Sequence, residues 1–142
     1  MMQAALYQFL SHYQQLNRRN LHLLEKMYSH DVAFEDPAQK IAGRAALTHY
    51  FEQLYDNVDA VTFVYQSTQI QGVQAWVQWT LELRHPRLNR GEKYSFEGAS
   101  HLVFNSQGQV THHRDYFDLG AMLYERLPVI GGLVRFVKRR LG

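Results

Sequence analysis

Val73-Gln74-Ala75-Trp76-Val77-Gln78-Trp79-Thr80-Leu81-Glu82-Leu83 alternates along its whole length. The odd positions are apolar: Val73, Ala75, Val77, Trp79, Leu81 and Leu83. The even ones are Gln74, Trp76, Gln78, Thr80 and Glu82. Successive side chains of a strand point to opposite faces, so a period of two predicts a long, half-buried strand. Val61 to Ile70 reads as the strand before it, and Gln71-Gly72 as the turn between them. After a loop from His85 to Gly91 the same reading gives a strand from Tyr94 to Phe104. A turn follows at Asn105-Ser106-Gln107-Gly108, then a last strand from Val110 to Phe117.

Upstream the period changes. Leu6, Phe9, Leu10, Tyr13 and Leu16 recur at helical spacing, as do Leu21, Leu24, Met27 and Tyr28 after an interruption at Asn17 to Asn20. Val32-Ala33-Phe34 predicts a brief strand stopped by Asp36-Pro37. Gly43 opens a third helix, with Leu47, Phe51, Leu54 and Val58 on one side. The order is helix, helix, short strand, helix and a four-stranded meander. It predicts an α+β domain: one antiparallel sheet with helices on one face. Leu119 to Leu127 reads as helical, and Pro128 opens one more helix at its first position. The domain is therefore expected to span residues 1–127, followed by an amphipathic basic helix over 128–142.

A chain of 142 residues is one domain by size and long enough to bury a core without staples. No cysteine is present, which excludes a disulfide frame, a thiolate nucleophile and a zinc-thiolate site. A net charge of +2 gives no drive towards nucleic acid. The N-terminus MMQAALYQFL lacks a basic region before its apolar residues, so no secretory signal is read and a cytoplasmic setting is expected. Aromatic residues make up 13% of the chain, enough to fill a core and line an apolar pocket. No metal site is read: His112 and His113 are adjacent on a strand and point to opposite faces. No glycine-rich phosphate loop or nucleophile elbow occurs, and no cofactor is expected.

Asp31-Val32-Ala33-Phe34-Glu35-Asp36-Pro37 resembles the bacterial ketosteroid isomerases, in which an acid before proline closes the first short strand and faces a pocket. That family carries a tyrosine on its first helix, and Tyr13 occupies the matching place. Arg114-Asp115-Tyr116-Phe117-Asp118-Leu119 is similar to the end of the last strand in limonene-epoxide hydrolases and SnoaL-type polyketide cyclases. There the aspartate after the arginine lines the cavity. The resemblance extends over roughly residues 3 to 125, much of a domain of typical size. It implies the cone-shaped fold of the nuclear transport factor 2-like superfamily. Two departures are visible. Ser100 stands where the isomerases have a second oxyanion acid. Thr80 and Glu82 stand where the epoxide hydrolases have an Arg-x-Asp pair.

The candidate catalytic residues are Asp36, Asp115, Tyr13 and His113. A carboxylate in an apolar pocket loses hydration and becomes a better base; the alternative for Asp36 is to cap the turn at Pro37. Tyr13 offers an oxyanion donor or plain core packing. Asp115 shares its strand face with Thr111, His113 and Phe117, so it is placed to orient His113 or a water, or else to pair with Arg114 or Arg84. Phe34, Ser100, Phe117 and Glu82 are candidate substrate contacts.

Two functions follow. One is a cofactor-independent isomerase, cyclase or hydrolase acting on a small apolar or cyclic molecule. The other is a ligand-binding or protein-docking module of the same fold. A homodimer is expected through the outer sheet face, because both faces of the middle strand carry a tryptophan, Trp76 and Trp79. The segment Pro128 to Leu141 combines Val129, Ile130, Leu133, Val134, Phe136 and Val137 with Arg135, Lys138, Arg139 and Arg140. We read it as a terminal helix packed on the sheet or over the pocket mouth, in preference to one making peripheral membrane contact.

Overall fold

The computed structural model describes residues 2–56, 60–84 and 93–118. Helix α1 spans Met2–Gln15 and buries Leu6, Phe9, Leu10 and Tyr13. A 3-10 turn at Leu21–Leu23 leads into one helical turn, α2, at Leu24–Met27. Strand β1 covers Tyr28–Asp36, β2 Gln39–Ala42, and helix α3 Arg44–Asp56. The meander is β3 (Ala60–Gln71), β4 (Gln74–Arg84), β5 (Tyr94–Phe104) and β6 (Val110–Phe117).

All six strands form one unclosed sheet in the order β2-β1-β6-β5-β4-β3. Three expectations need correction. The sheet is mixed, because β1 runs parallel to β6 with Phe34 opposite His113. The short strand is longer than expected: Tyr28 leaves the helical pattern and begins β1, its φ of −121° and ψ of 145° already extended. The strand does stop at Asp36-Pro37, but the break is also the turn of a hairpin to an unexpected strand, β2, which returns antiparallel to β1. Four-residue strands with no clear alternation leave little pattern to read. The region of the expected helices at 119–127 and 128–142 lies outside the described residues.

Burial explains the layering. The inner face presents Ala75, Val77 and Trp79 from β4, Leu102 and Phe104 from β5, and Val32 and Phe34 from β1. Helices α1 and α3 cover it with Leu6, Phe9, Tyr13, Leu47 and Phe51. Each of the Val, Leu and Phe side chains among them contributes about 1.5–3 kcal/mol on leaving water. Helix α1 is tied to the edge strand by two bonds, Gln14 Nε2 to the Phe63 carbonyl (3.1 Å) and the Tyr65 hydroxyl to the Leu10 carbonyl (3.2 Å).

Register shifts adjust the faces; besides one in β1 between Tyr28 and Ala33, two bulges matter here. One near Gln66 in β3 keeps Phe63 and Tyr65 inward while Ser67 pairs with Gln78 on the outside. The other, at Thr111 in β6, lets both Val110 and His113 point inward. Thr111 accordingly leaves the inner row expected of it and donates its hydroxyl to the Val103 carbonyl. Gly72, with φ +60°, makes the tight turn between β3 and β4. The outer face exposes Val64, Trp76 and Tyr116 by about 40% each, with the Trp76 ring packed at a tilt against His101 and Tyr116.

Candidate functional site

Between α1 and the inner face lies a cavity lined by Phe9, Leu10, Tyr13, Phe63, Tyr65, Val77, Trp79, Leu102, Ser100, His113 and Asp115. About 20 Å³ of it admits the centre of a water molecule, room for roughly one or two waters. Its walls are aromatic and aliphatic, and the polar atoms of Ser100 and His113 converge on one carboxylate.

That carboxylate is Asp115. Its Oδ1 is 2.5 Å from Ser100 Oγ and 2.7 Å from His113 Nε2. Pairing of β5 with β6 sets Ser100 opposite Asp115, and the two-residue spacing on β6 sets His113 beside it. His113 is 3% exposed, and its Nδ1 lies 2.8 Å from the Tyr28 hydroxyl. At the other end Trp79 Nε1–H donates to Ser100 Oγ at 2.8 Å. Five side chains from β1, β4, β5 and β6 thus form one chain: Tyr28, His113, Asp115, Ser100, Trp79.

The donors fix its direction. An indole N–H only donates, so Ser100 accepts from Trp79 and turns its own proton to Asp115. Burial, with the Asp115 charge next in order, pushes the Tyr28 phenol well above its ordinary range, so it stays protonated. Its proton goes to His113 Nδ1, the partner it has among the described residues. His113 must then carry its proton on Nε2, aimed at Asp115. The carboxylate receives both bonds on Oδ1, while Oδ2 has no protein partner among the described residues. The Tyr28 backbone is held as well, its carbonyl accepting from Arg44 Nη1 at 3.1 Å.

Tyr13 faces the same cavity, its ring 6.0 Å from that of His113 and 4.9 Å from Phe63. Burial first, then the charges of Tyr28 and Asp115, raise its phenol well above the usual value. It remains a neutral donor, and its hydroxyl makes no hydrogen bond to the described residues.

The other sequence-predicted residues lie elsewhere. Asp36 accepts the backbone N–H groups of Ala38 (2.8 Å) and Gln39 (3.1 Å) on Oδ1 and the Gln39 side-chain amide on Oδ2. It caps the β1–β2 hairpin and is absent from the cavity lining. Glu82 is on the outer-facing row of β4 and pairs with Lys93 at 3.5 Å. Thr80, on that row too, accepts from Gln66 Nε2. Phe34 and Phe117 face inward without lining the cavity: Phe34 packs on His113 at 4.8 Å and Phe117 on Phe96 at 5.4 Å. Arg114 turns outward to Glu35 at 3.7 Å and over the Tyr116 ring, and Asp115 is held instead by its hydrogen bond from His113. Among the described residues no three side chains of His, Asp or Glu lie close enough to hold a metal ion. Nor is any described helix long and apolar enough to cross a membrane.

Tyr28 and Trp79 are the members of the chain not proposed from sequence. Trp79 had a signal: a buried indole N–H needs an acceptor. Tyr28 had none, because the parallel pairing of β1 with β6 brings it to His113 from 85 positions away.

The fold matches known proteins. The SnoaL-like domain model aligns with residues 9–113. The chain belongs to the SnoaL-like family. No curated protein matches the sequence. Among solved structures, TerC crystallised with polyporic acid is 17% identical and superposes with a TM-score of 0.69 over 85% of this chain and 94% of that one. An LEH-like epoxide hydrolase of M. tuberculosis is 18% identical, with a TM-score of 0.66 over 82% and 81%. A hypothetical protein of ketosteroid isomerase-like fold from Catenulispora acidiphila, in complex with trimethylamine, is 16% identical, with a TM-score of 0.67 over 77% and 84%. At these identities the likeness is one of fold, and this SnoaL-like chain shares it.

Asp36 gives a prediction in stability. Its carboxyl is raised above the ordinary value by burial, partly offset by the hairpin hydrogen bonds and reinforced by the Asp115 charge. A raised acid favours the fold when protonated. That contribution is present below the unfolded value of ~3.9 and lost as pH rises through the folded one. An asparagine in its place would keep an acceptor for the two N–H groups without the charge. Asp36→Asn is therefore expected to match or exceed wild type in Tm near neutral pH, with the advantage closing as pH falls towards about 4 and gone below it. Thermal melts across pH check this; a deficit that is constant with pH contradicts it.

Proposed function

We propose that this protein is a cofactor-independent acid–base enzyme of the isomerase, cyclase or hydrolase type, acting on a small, largely apolar molecule. The observation that carries the proposal is the Asp115 carboxylate. Among the described residues Oδ1 takes two hydrogen bonds and Oδ2 none, and the Asp115 side chain lines an apolar cavity together with Tyr13, whose hydroxyl also has no partner among the described residues. In this reading Oδ2 takes a proton from a carbon next to a carbonyl. As negative charge develops on the carbonyl oxygen, Tyr13 O–H donates to it, and Asp115 then returns the proton to the same or a neighbouring carbon. His113 and Ser100 hold the carboxylate. Asp36 is structural, and Glu82 takes no part.

A second reading, a binding module, is favoured by the size of the cavity, which holds only a few heavy atoms unless its mouth opens. Support for a small ligand also comes from the polyporic acid and trimethylamine held by two structural relatives. We further propose a homodimer through the outer face, supported by the exposed Val64, Trp76 and Tyr116. Light scattering at micromolar concentration is expected to give twice the chain mass, and the monomer mass rejects the dimer.

Deuterium exchange at the α-carbon of acetone and cyclopentanone in D2O, followed by NMR, tests the enzyme reading without the natural substrate. Wild type is expected to accelerate exchange. Asp115→Asn is expected to lose about a hundredfold or more, a usual contribution of a positioned base, and Asp36→Asn to keep its rate. Equal rates for wild type and Asp115→Asn, or loss with Asp36→Asn, reject Asp115 as the base.

A further inference from the structure

Trp79 is a wall of the cavity, but its one polar atom is committed away from it. The indole proton goes to Ser100 Oγ, whose hydroxyl is thereby turned onto Asp115 Oδ1. Rotation of a free serine hydroxyl costs little, and Ser100 has two ways to meet a carboxylate: donate to it, or leave it for another acceptor. An N–H already pointed at its lone pair removes the choice.

What aims the indole is an absence on the next strand. Trp79 pairs across with Gly98, and Ser100 is two residues further along the same inward row. A Cβ on residue 98 would lie 2.8 Å from the Tyr116 carbonyl oxygen and closer still to two atoms of the Trp79 ring. The ring therefore occupies the place of the missing side chain and reaches diagonally to Ser100. Phe63 and Phe96 meet it edge-on at 5.6 and 6.0 Å, which limits its rotation.

We propose that Trp79, seated over Gly98, is a positioning residue for Asp115: its N–H orients the Ser100 hydroxyl, which pins Oδ1 and so fixes the orientation of the carboxylate at the cavity wall. This rests on the reading of Asp115 as the base. Hydrogen bonds in series polarise one another, so loss of the first weakens the second. Without the Ser100 bond the carboxylate is held, among the described residues, on one side only, by His113, and is freer to turn about its own axis. Trp79 then acts on the rate of proton transfer more than on ligand binding, although it touches the cavity.

Trp79→Phe tests this, because it keeps an aromatic ring over Gly98 and removes the N–H. In the ketone exchange assay kcat is expected to fall about tenfold with KM little changed. Ser100→Ala is expected to fall as far, and the double mutant no further than Ser100→Ala alone. If Trp79→Phe costs the same factor with alanine at position 100 as with serine, Trp79 works through packing and the proposal is overturned. A second readout needs no turnover: the proton NMR signal of the Ser100 hydroxyl in H2O. It is expected at low field in wild type and shifted upfield, or lost to exchange, in Trp79→Phe. An unshifted signal overturns the proposal. A shifted signal in a protein that exchanges no ketone leaves Trp79 as the positioning residue and rejects Asp115 as base, so the two failures are told apart.

Discussion

A carboxylate placed among aromatic rings loses most of its hydration, and the rest of the inner face is organised around making that tolerable. Asp115 recovers part of the loss through two donors on one oxygen, Ser100 and His113. Each donor is itself oriented by a group with a single polar atom, Trp79 or Tyr28. The arrangement is asymmetric: one oxygen is saturated, and the other has no protein partner among the described residues. A site built only for stability would satisfy both oxygens or use an apolar residue of similar size.

The fold supplies this asymmetry by register. Antiparallel pairing of β5 and β6 sets Ser100 against Asp115, and pairing of β4 with β5 brings Trp79 over Gly98. Parallel pairing of β1 with β6 carries Tyr28 and Phe34 to His113. The bulge at Thr111 sits just below this group, so that Val110 and His113 both face inward and the polar chain rests on a buried apolar floor. Helix α1 closes the other side and brings Tyr13 to the cavity. Local strand geometry and chemistry are thus coupled: a one-residue slip of β6 would turn Asp115 and His113 outward together.

Much of this was legible in the sequence. The alternation from Val73 to Leu83 gives β4 and its faces, and the same rule places His113 and Asp115 on one row. The ends of β5 and β6 follow from flanking turns. The similarity of Arg114 to Leu119 to SnoaL-type strands points to the family that the domain model assigns. What the sequence hides is long-range. Tyr28 fits the helical spacing of Leu21, Leu24 and Met27, and only pairing with a strand far along the chain makes it extended. Asp36 lies on the inward row with Phe34, as a pocket acid would. Its own hairpin satisfies it first, because Asp before Pro is a local turn signal that competes with any distant role. Glu82 alternates out of phase with Trp79 and so lies on the outer row, beside Lys93.

The central claim is that Tyr28 and Asp115 impose one tautomer on a buried histidine, so that both donors of the chain converge on the carboxylate. Nitrogen-15 NMR of His113 at about pH 8, where an ordinary imidazole is neutral, reads this directly. The account predicts a protonated Nε2 and an unprotonated Nδ1 whose shift reflects a bond received from Tyr28, and which moves in Tyr28→Phe. A proton on Nδ1, or rapid averaging of the two tautomers, would contradict it.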